Sequence, residues 1–362
     1  MSENAKKSHG ALAGAAPLDI SESADRIAQA IRRASRIAVI THARADADAV
    51  GSTIAFAHLC EHLGSRPALV TSGDLLLPDS LRFMDASGVF HTQLEGLGTG
   101  FDLVAYIDCA EAPRAAPVTE QLHSWSTSEL TTINIDHHVT NTRYATIDLV
   151  QDDAASTAEI LVQLFHALDV PISAGLATAL LAGIYGDTLG LKTPSTKPST
   201  MRACADLVEA GAFLDLVVDR LFREKPYSTV LLWGEAQLRS QWSGRLLWTR
   251  IDNALLDQVG ASSTETEGLV NFLAGTHGAF AAALVQESDD GWRVSLRSTT
   301  GGVDVSALAQ RYGGGGHPRA AGCQLSPGEE ALAEFIADIS AQLEELPEHA
   351  GSREPYVTSS SD

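Results

Sequence analysis

"THARADADAVGS", residues 41–52, follows directly on the apolar run "RIAVI", residues 36–40. The run reads as a short buried strand. The loop after it then carries His42, Asp46 and Asp48 within a single turn of chain. Without a partner such a cluster is costly, because desolvation and like-charge repulsion both penalise ionised carboxylates. A cation among them removes that cost.

The same arrangement recurs outward along the chain. "FDLVAYIDCA" (101–110) is an apolar run that ends in Asp108, and "TTINIDHH" (131–138) ends in Asp136, His137 and His138. "RPALVTS" (66–72) is a further strand. Between and after them lie helical patterns. "STIAFAHLCEHLG" (52–64) ends at Gly64, and "STAEILVQLFHAL" (156–168) opens with a capping box, Ser156 three before Glu159. "ISAGLATALLAGIYGDT" (172–188) carries Asp187 at its end. Strands alternating with helices predict a mainly parallel α/β sheet, in which ligands bind beyond the carboxyl ends of the strands. Three strands thus bring acids and histidines to one sheet edge, which reads as a site for metal cations. Mixed imidazole and carboxylate donors suit Mn²⁺, with Zn²⁺, Mg²⁺ or Fe²⁺ as alternatives. Asp46, Asp48, Asp108 and Asp187 with two histidines exceed one closed site and suit two ions sharing a carboxylate. Two such ions, roughly 3.5–4 Å apart, stabilise in-line attack of hydroxide on phosphorus.

The second half changes character. Residues 198–236 read as a helical linker, interrupted by Pro226. "GRLLWTRID" (244–252), "AFAAALVQES" (279–288) and "WRVSLRST" (292–299) are strands of a second domain, closed by a helix over 329–345. Between them lies "GGGGHPRAAG" (313–322). Gly314, Gly315 and Gly316 let the backbone approach a ligand and present N–H groups to anionic oxygen, with His317 as a side-chain donor. Arg297, on a neighbouring strand, can pair with a phosphate bidentately. The organisation expected is therefore a flexible leader over 1–19, a metal-binding domain over 20–197, the linker over 198–236, a smaller α/β substrate-binding domain over 237–345 and a disordered tail over 346–362.

Composition narrows the function. Of 362 residues, 46 are Asp or Glu and 25 are Lys or Arg, a net charge of −21. That field opposes long nucleic acid, whose binding depends on neutralising many phosphates. It tolerates short strands held by a few cations. Cys60, Cys109, Cys204 and Cys323 show no CxxC spacing, which fits reduced, non-ligating thiols in a cytoplasm. No apolar run approaches the ~20 residues of a membrane span.

These motifs, in this order, resemble the DHH phosphoesterase family, in particular its nanoRNase subgroup with a C-terminal DHH-associated domain. The resemblance spans about residues 20–345 and rests on "HARADADAVGS", "DCA", "DHHVTN", "GDT" and "GGGGHPRAAG". It implies that His42, Asp46 and Asp108 hold one metal and that Asp48, Asp108, His137 and Asp187 hold the other, with Asp108 shared. It implies that His138 faces the scissile phosphate and that Asp136 orients a histidine. Arg297, Ser298 and His317 would bind the far phosphate or terminal nucleotide. The activity implied is hydrolysis of very short oligonucleotides, linear dinucleotides such as pApA, and 3′-phosphoadenosine 5′-phosphate, with a homodimer left open. Two departures stand out. Ala45 replaces the Pro usual before the first Asp, and Leu189 and Leu191 stand where relatives tend to have Gly and Phe. An inorganic pyrophosphatase would share the ligands but needs a Lys/Arg cluster where this chain has a glycine–His loop. A non-catalytic nucleotide sensor would be expected to lack a ligand, and a processive exonuclease to carry a further binding domain.

Overall fold

In the computed structural model the residues described are 20–43, 45–71, 77, 79–84, 90–91, 99–115, 118–298 and 302–351. The chain forms two compact units that divide between Glu224 and Lys225. The leader expected over 1–19 lies outside the described residues.

The first unit contains α1 (Ile20–Arg33), β1 (Ile37–Thr41), α2 (Ala47–His62), β2 (Ala68–Thr71), β3 (Phe90–His91) and β4 (Phe101–Ile107). It continues with α3 (Val118–Trp125), β5 (Ser126–Asp136), β6 (Ile147–Val150), α4 (Thr157–Ala167), α5 (Ala174–Asp187), α6 (Pro198–Glu209) and α7 (Leu214–Val218). Its six strands run parallel in the order β3-β2-β1-β4-β5-β6. The chain winds one way from β1 and the other way from β4. The ends of β1 and β4 are therefore the switch point at which open α/β sheets bind ligands. β1 is buried along its whole length, as expected of a strand covered on both faces. Helix α2 lies against α5 so closely that a Cβ on Gly51 would fall 2.3 Å from the Ala179 carbonyl oxygen. Glycine is required there for the approach.

The helix after the first motif starts earlier than its apolar pattern suggested. It begins at Ala47, so Asp46 is its N-cap and Asp48 sits in its first turn, not on a loop. Polar and small residues open the helix because the cap, not hydrophobic periodicity, sets its start. The Ser156 cap forms as expected, accepting from the Glu159 N–H at 3.1 Å. Glu159 turns elsewhere: its carboxylate accepts from the Ala155 N–H and the Thr200 hydroxyl.

The second unit holds α8 (Tyr227–Leu238), β7 (Gln241–Ser243), β8 (Leu246–Ile251), α9 (Asn253–Val259), α10 (Leu269–Ala274), β9 (Ala281–Ser288) and β10 (Gly291–Arg297). Helix α11 (Val305–Gln310), β11 (Gly315–His317), β12 (Ala320–Leu325) and α12 (Glu329–Glu344) complete it. Its sheet is mixed, in the order β11-β12-β10-β9-β8-β7 with only β8 and β9 parallel. The helical stretch over 198–236 is shared out: α6 and α7 belong to the first unit and α8 to the second. The tail also differs from expectation up to Gly351. Residues 348–351 form a 3₁₀ turn, Ala350 is buried, and the Arg245 guanidinium donates to the Leu346 carbonyl. The rest of the tail lies outside the described residues. All four cysteines are buried and unpaired, and no helix among the described residues is long and apolar enough to cross a membrane.

Candidate metal centre

The six expected ligands and both accessory groups of the first unit come together at the carboxyl edge of its sheet. His42 follows β1, Asp108 follows β4, Asp136 ends β5 with His137 and His138 after it, and Asp187 ends α5. Three overlapping groups have donor atoms within 4.8 Å of one another: His42, Asp46 and Asp108; Asp48, His137 and Asp187; and Asp108, His137 and His138. Asp108 appears in two of them, and so does His137.

Asp108 is the hub. It is buried, its Oδ2 lies 3.5 Å from His42 Nε2, and its Oδ1 lies 3.7 Å from both His137 Nε2 and His138 Nδ1. Its backbone sits at φ 57°, a left-handed conformation that costs a non-glycine residue about 1–3 kcal/mol. The Asp108 N–H donates to the Ile135 carbonyl at 2.9 Å, and Thr157 Oγ1 donates to its carboxylate at 2.9 Å. Asp48 is fully buried and accepts the N–H groups of Thr157 at 2.7 Å and Ala158 at 2.9 Å. The N-terminus of α4 therefore supports the cluster from below. Thr157 and Ala158 carry no motif of their own. Only the capping signature at Ser156 marks that helix start in the sequence. Gly183 belongs to the same packing, because a Cβ there would stand 2.8 Å from Asp48 Oδ1 and from Ala158 Cβ.

The electrostatics of the cluster favour positive charge. Burial, then Asp108 and Asp187, hold the Asp48 carboxyl well above the usual carboxylate range. Asp46 reaches solvent, yet the protein packed around its carboxyl, with Asp108 and Asp187, pushes it up to about 6. Burial pulls the His137 imidazole down, but Asp187, Asp48 and Asp108 outweigh it and push it up to about 10. Burial likewise lowers His42, yet Asp108 and the Ala43 carbonyl leave it above its ordinary value. Asp108 goes the other way: burial raises it, and the three histidines, His42 first, bring it below its ordinary value. Protons are thus drawn to the places where cations would sit. The buried His137 Nε2 makes the same point. It is paired with Asp187 Oδ2 at 3.0 Å, and among the described residues no group other than these carboxylates satisfies it. His42 Nδ1 engages the Ala43 carbonyl at 2.8 Å, which leaves Nε2 as a donor atom for a metal. Mixed imidazole and carboxylate donors gathered within 4.8 Å of one another fit divalent cations.

His138 is held differently. Its Nδ1 donates to Asp136 Oδ1 at 2.7 Å, and Asp136 is fully buried and also accepts from Asn141 Nδ2 at 2.6 Å. Beyond Asp187, Leu189 and Leu191 take φ values of 50° and 65°, where glycine is at ease and leucine is strained. Leu191 packs on the core, and Leu189 is 54% exposed.

In the second unit, Arg297 and His317 lie at one register, each opposite Ala320 on either side of β12. Arg297 donates to Asn271 Oδ1 and to the Leu296 carbonyl, Ser298 Oγ donates to the Phe280 carbonyl, and His317 is exposed. The glycine run is less open than its composition suggested. Gly315 and Gly316 are strand residues of a hairpin with β12. A Cβ on Gly314 would meet the Gly322 carbonyl oxygen at 2.1 Å, and one on Gly316 the Ala320 carbonyl oxygen at 2.4 Å. These glycines first allow the chain to approach itself.

Residues 36–184 match the DHH family, N-terminal domain, and residues 251–345 match the DHHA1 domain. The chain is 30% identical over 80% of its length to the bifunctional oligoribonuclease and PAP phosphatase NrnA of Thermus thermophilus, and covers 84% of that protein. The chain belongs to the DHH family. It is 27% identical over 59% of its length to the Bacillus subtilis protein of the same name, covering 68% of it. An exopolyphosphatase-related protein from Bacteroides fragilis shares the fold, with a TM-score of 0.79 at 20% identity over 90% of this chain and 98% of that one. The DHH residues 136–138 are the Asp136, His137 and His138 described above, and the chain is a DHH-family phosphoesterase.

Proposed function

We propose that this phosphoesterase hydrolyses very short oligonucleotides, linear dinucleotides such as pApA, and 3′-phosphoadenosine 5′-phosphate, using two divalent cations, Mn²⁺ foremost. The observation that carries the metal reading is the cluster around Asp108, in which carboxylate and imidazole donor atoms of three overlapping groups lie within 4.8 Å of one another. His42, Asp46 and Asp108 would hold one ion, and Asp48, Asp108, His137 and Asp187 the other. Cations there supply Lewis-acid activation of water and neutralise charge developing on the phosphate. The substrate reading draws support from the names of the Thermus and Bacillus relatives.

The chain's own groups divide the work. His138, oriented through Nδ1 by Asp136, offers Nε2 to the scissile phosphate, where a donor stabilises charge in the transition state. The α4 N-terminus and the Thr157 hydroxyl fix Asp48 and Asp108. In the second unit, Arg297, Ser298, His317 and the backbone at Gly314, Gly315 and Gly316 supply donors for the remaining phosphate or nucleotide. The domains proposed are thus a catalytic unit, a helical connection and a DHH-associated binding unit, in a cytoplasmic protein. The excess of acidic residues favours short substrates over long duplexes.

End-labelled RNAs from two to twenty-four nucleotides, run beside pApA, the bisphosphate and pyrophosphate, test this. The rate should be highest for dimers and fall as the RNA lengthens, should vanish in chelator, and should return best with Mn²⁺. Faster turnover of the twenty-four-mer, or of pyrophosphate, would replace this reading with a processive nuclease or a pyrophosphatase.

A further inference from the structure

Asn134 lies on β5 two residues before Asp136 and is completely buried. Its neighbours in the strand, Ile133 and Ile135, are apolar core residues. An amide at such a depth costs free energy unless every polar atom is used. Here both ends are used. Nδ2 donates to the Cys109 carbonyl at 3.1 Å, with the Tyr144 hydroxyl at 3.3 Å and the Tyr106 carbonyl at 3.4 Å alongside. Oδ1 accepts from Asn141 Nδ2 at 2.7 Å. The same Asn141 nitrogen donates to Asp136 Oδ2, and Asp136 Oδ1 holds His138 Nδ1. Tyr144 adds a second donor to the Cys109 carbonyl, at 2.8 Å.

The Cys109 carbonyl belongs to the residue directly after Asp108, the one ligand whose backbone is strained. Two side-chain donors pin that carbonyl. A left-handed aspartate persists only where its surroundings over-determine it, and these two donors are part of that constraint. The other arm of the same amide runs through Asn141 and Asp136 to His138.

We propose that Asn134 and Tyr144 are positioning residues for the metal centre: they clamp the turn that presents Asp108, and Asn134 couples this turn through Asn141 and Asp136 to His138. This rests on the reading of the cluster as a metal-dependent phosphoesterase site. Neither side chain is a ligand. Outer partners of this kind typically affect metal affinity or activity by about 10–100-fold.

The test uses the full-length protein, Tyr144→Phe, which keeps the ring against Tyr106 and removes only the hydroxyl, and Asn134→Leu, which removes both arms. Mn²⁺ affinity is measured by calorimetry, kcat and KM are measured on a dinucleotide, and the melting temperature is measured in chelator. Expected are a loss of roughly 3–10-fold in Mn²⁺ affinity and kcat for Tyr144→Phe and roughly 10–100-fold for Asn134→Leu, with KM unchanged. If both variants bind Mn²⁺ and turn over as the wild type does while only melting lower, the network is merely structural and the proposal is wrong. If Asn134→Leu does not fold, Tyr144→Phe alone decides. Wild-type protein that takes up no Mn²⁺ would instead overturn the metal reading itself, before any variant is compared.

Discussion

The two units treat polarity in opposite ways. At the edge of the first sheet, carboxylates and imidazoles crowd each other, and His137 Nε2 meets the Asp187 and Asp108 carboxylates. At the end of the second sheet, Arg297 is engaged by Asn271 and the Leu296 carbonyl, Ser298 by the Phe280 carbonyl, and His317 stands in solvent. The first arrangement is costly until something cationic enters it. The second is stable as it stands and can exchange its hydrogen bonds for those of an anion. That difference is what the proposed division between a centre for chemistry and a surface for recognition rests on.

The hardest blow to this contrast would come from Asp108. Asp108→Ala removes the carboxylate common to both proposed ion sites. It should lower turnover by roughly 10³-fold or more, since a metal clamp supplies several kcal/mol of charge stabilisation. Metal content measured on the same preparation should fall with it. Near-normal turnover and metal content would show that the cluster is not the centre. Changes in the second unit should be milder and selective. Arg297→Ala and His317→Ala should leave Mn²⁺ binding intact and reduce dinucleotide turnover by about 10–100-fold, as expected for losing one charge-assisted contact. Bis-p-nitrophenyl phosphate, which makes no remote contacts, should be nearly unaffected. Equal losses on both substrates would erase the division of labour.

The smallest effect expected is a pH dependence of stability. The folded His137 titrates at about 10 against 6.5 for the free imidazole. A raised folded value stabilises the fold fully below about 6.5, and that contribution is lost as pH rises towards 10. The metal-free protein should therefore melt progressively lower across that window. A divalent cation bound there would take the place of the proton, so the melting temperature gained on adding Mn²⁺ should grow with pH over the same range. Metal-free and metal-loaded melting curves that run parallel from pH 6.5 to 10 would show that His137 does not face a cation.

Much of this was legible in the chain. Apolar runs at 36–40, 101–107 and 131–135 become β1, β4 and the latter part of β5. The acids and histidines immediately after them share an edge because parallel strands all end on one side. The candidate ligands were legible for the same reason: His42, Asp108, His137 and Asp187 sit where a strand or helix stops, and Asp46 and Asp48 where the next helix starts. The four-residue β6 and the three-residue β7 and β11 were not, because so few residues carry no readable period. The start of α2 was misread because Asp46 and Asp48 look like loop residues until the cap is seen.

The sequence by itself determined which groups reach the edge, since element order and polarity are local properties of the chain. Only the tertiary structure decided their state. It set the N-terminus of α4 beneath Asp48, 109 residues away from Thr157 in sequence, bent Asp108 into a left-handed turn, and joined Asn134 to Cys109 and Asn141. It also closed the glycine run into a hairpin instead of leaving it open. The physical reason is that hydrogen-bond partners, burial and the fields that shift a pKa depend on groups far apart in sequence, which no local pattern encodes.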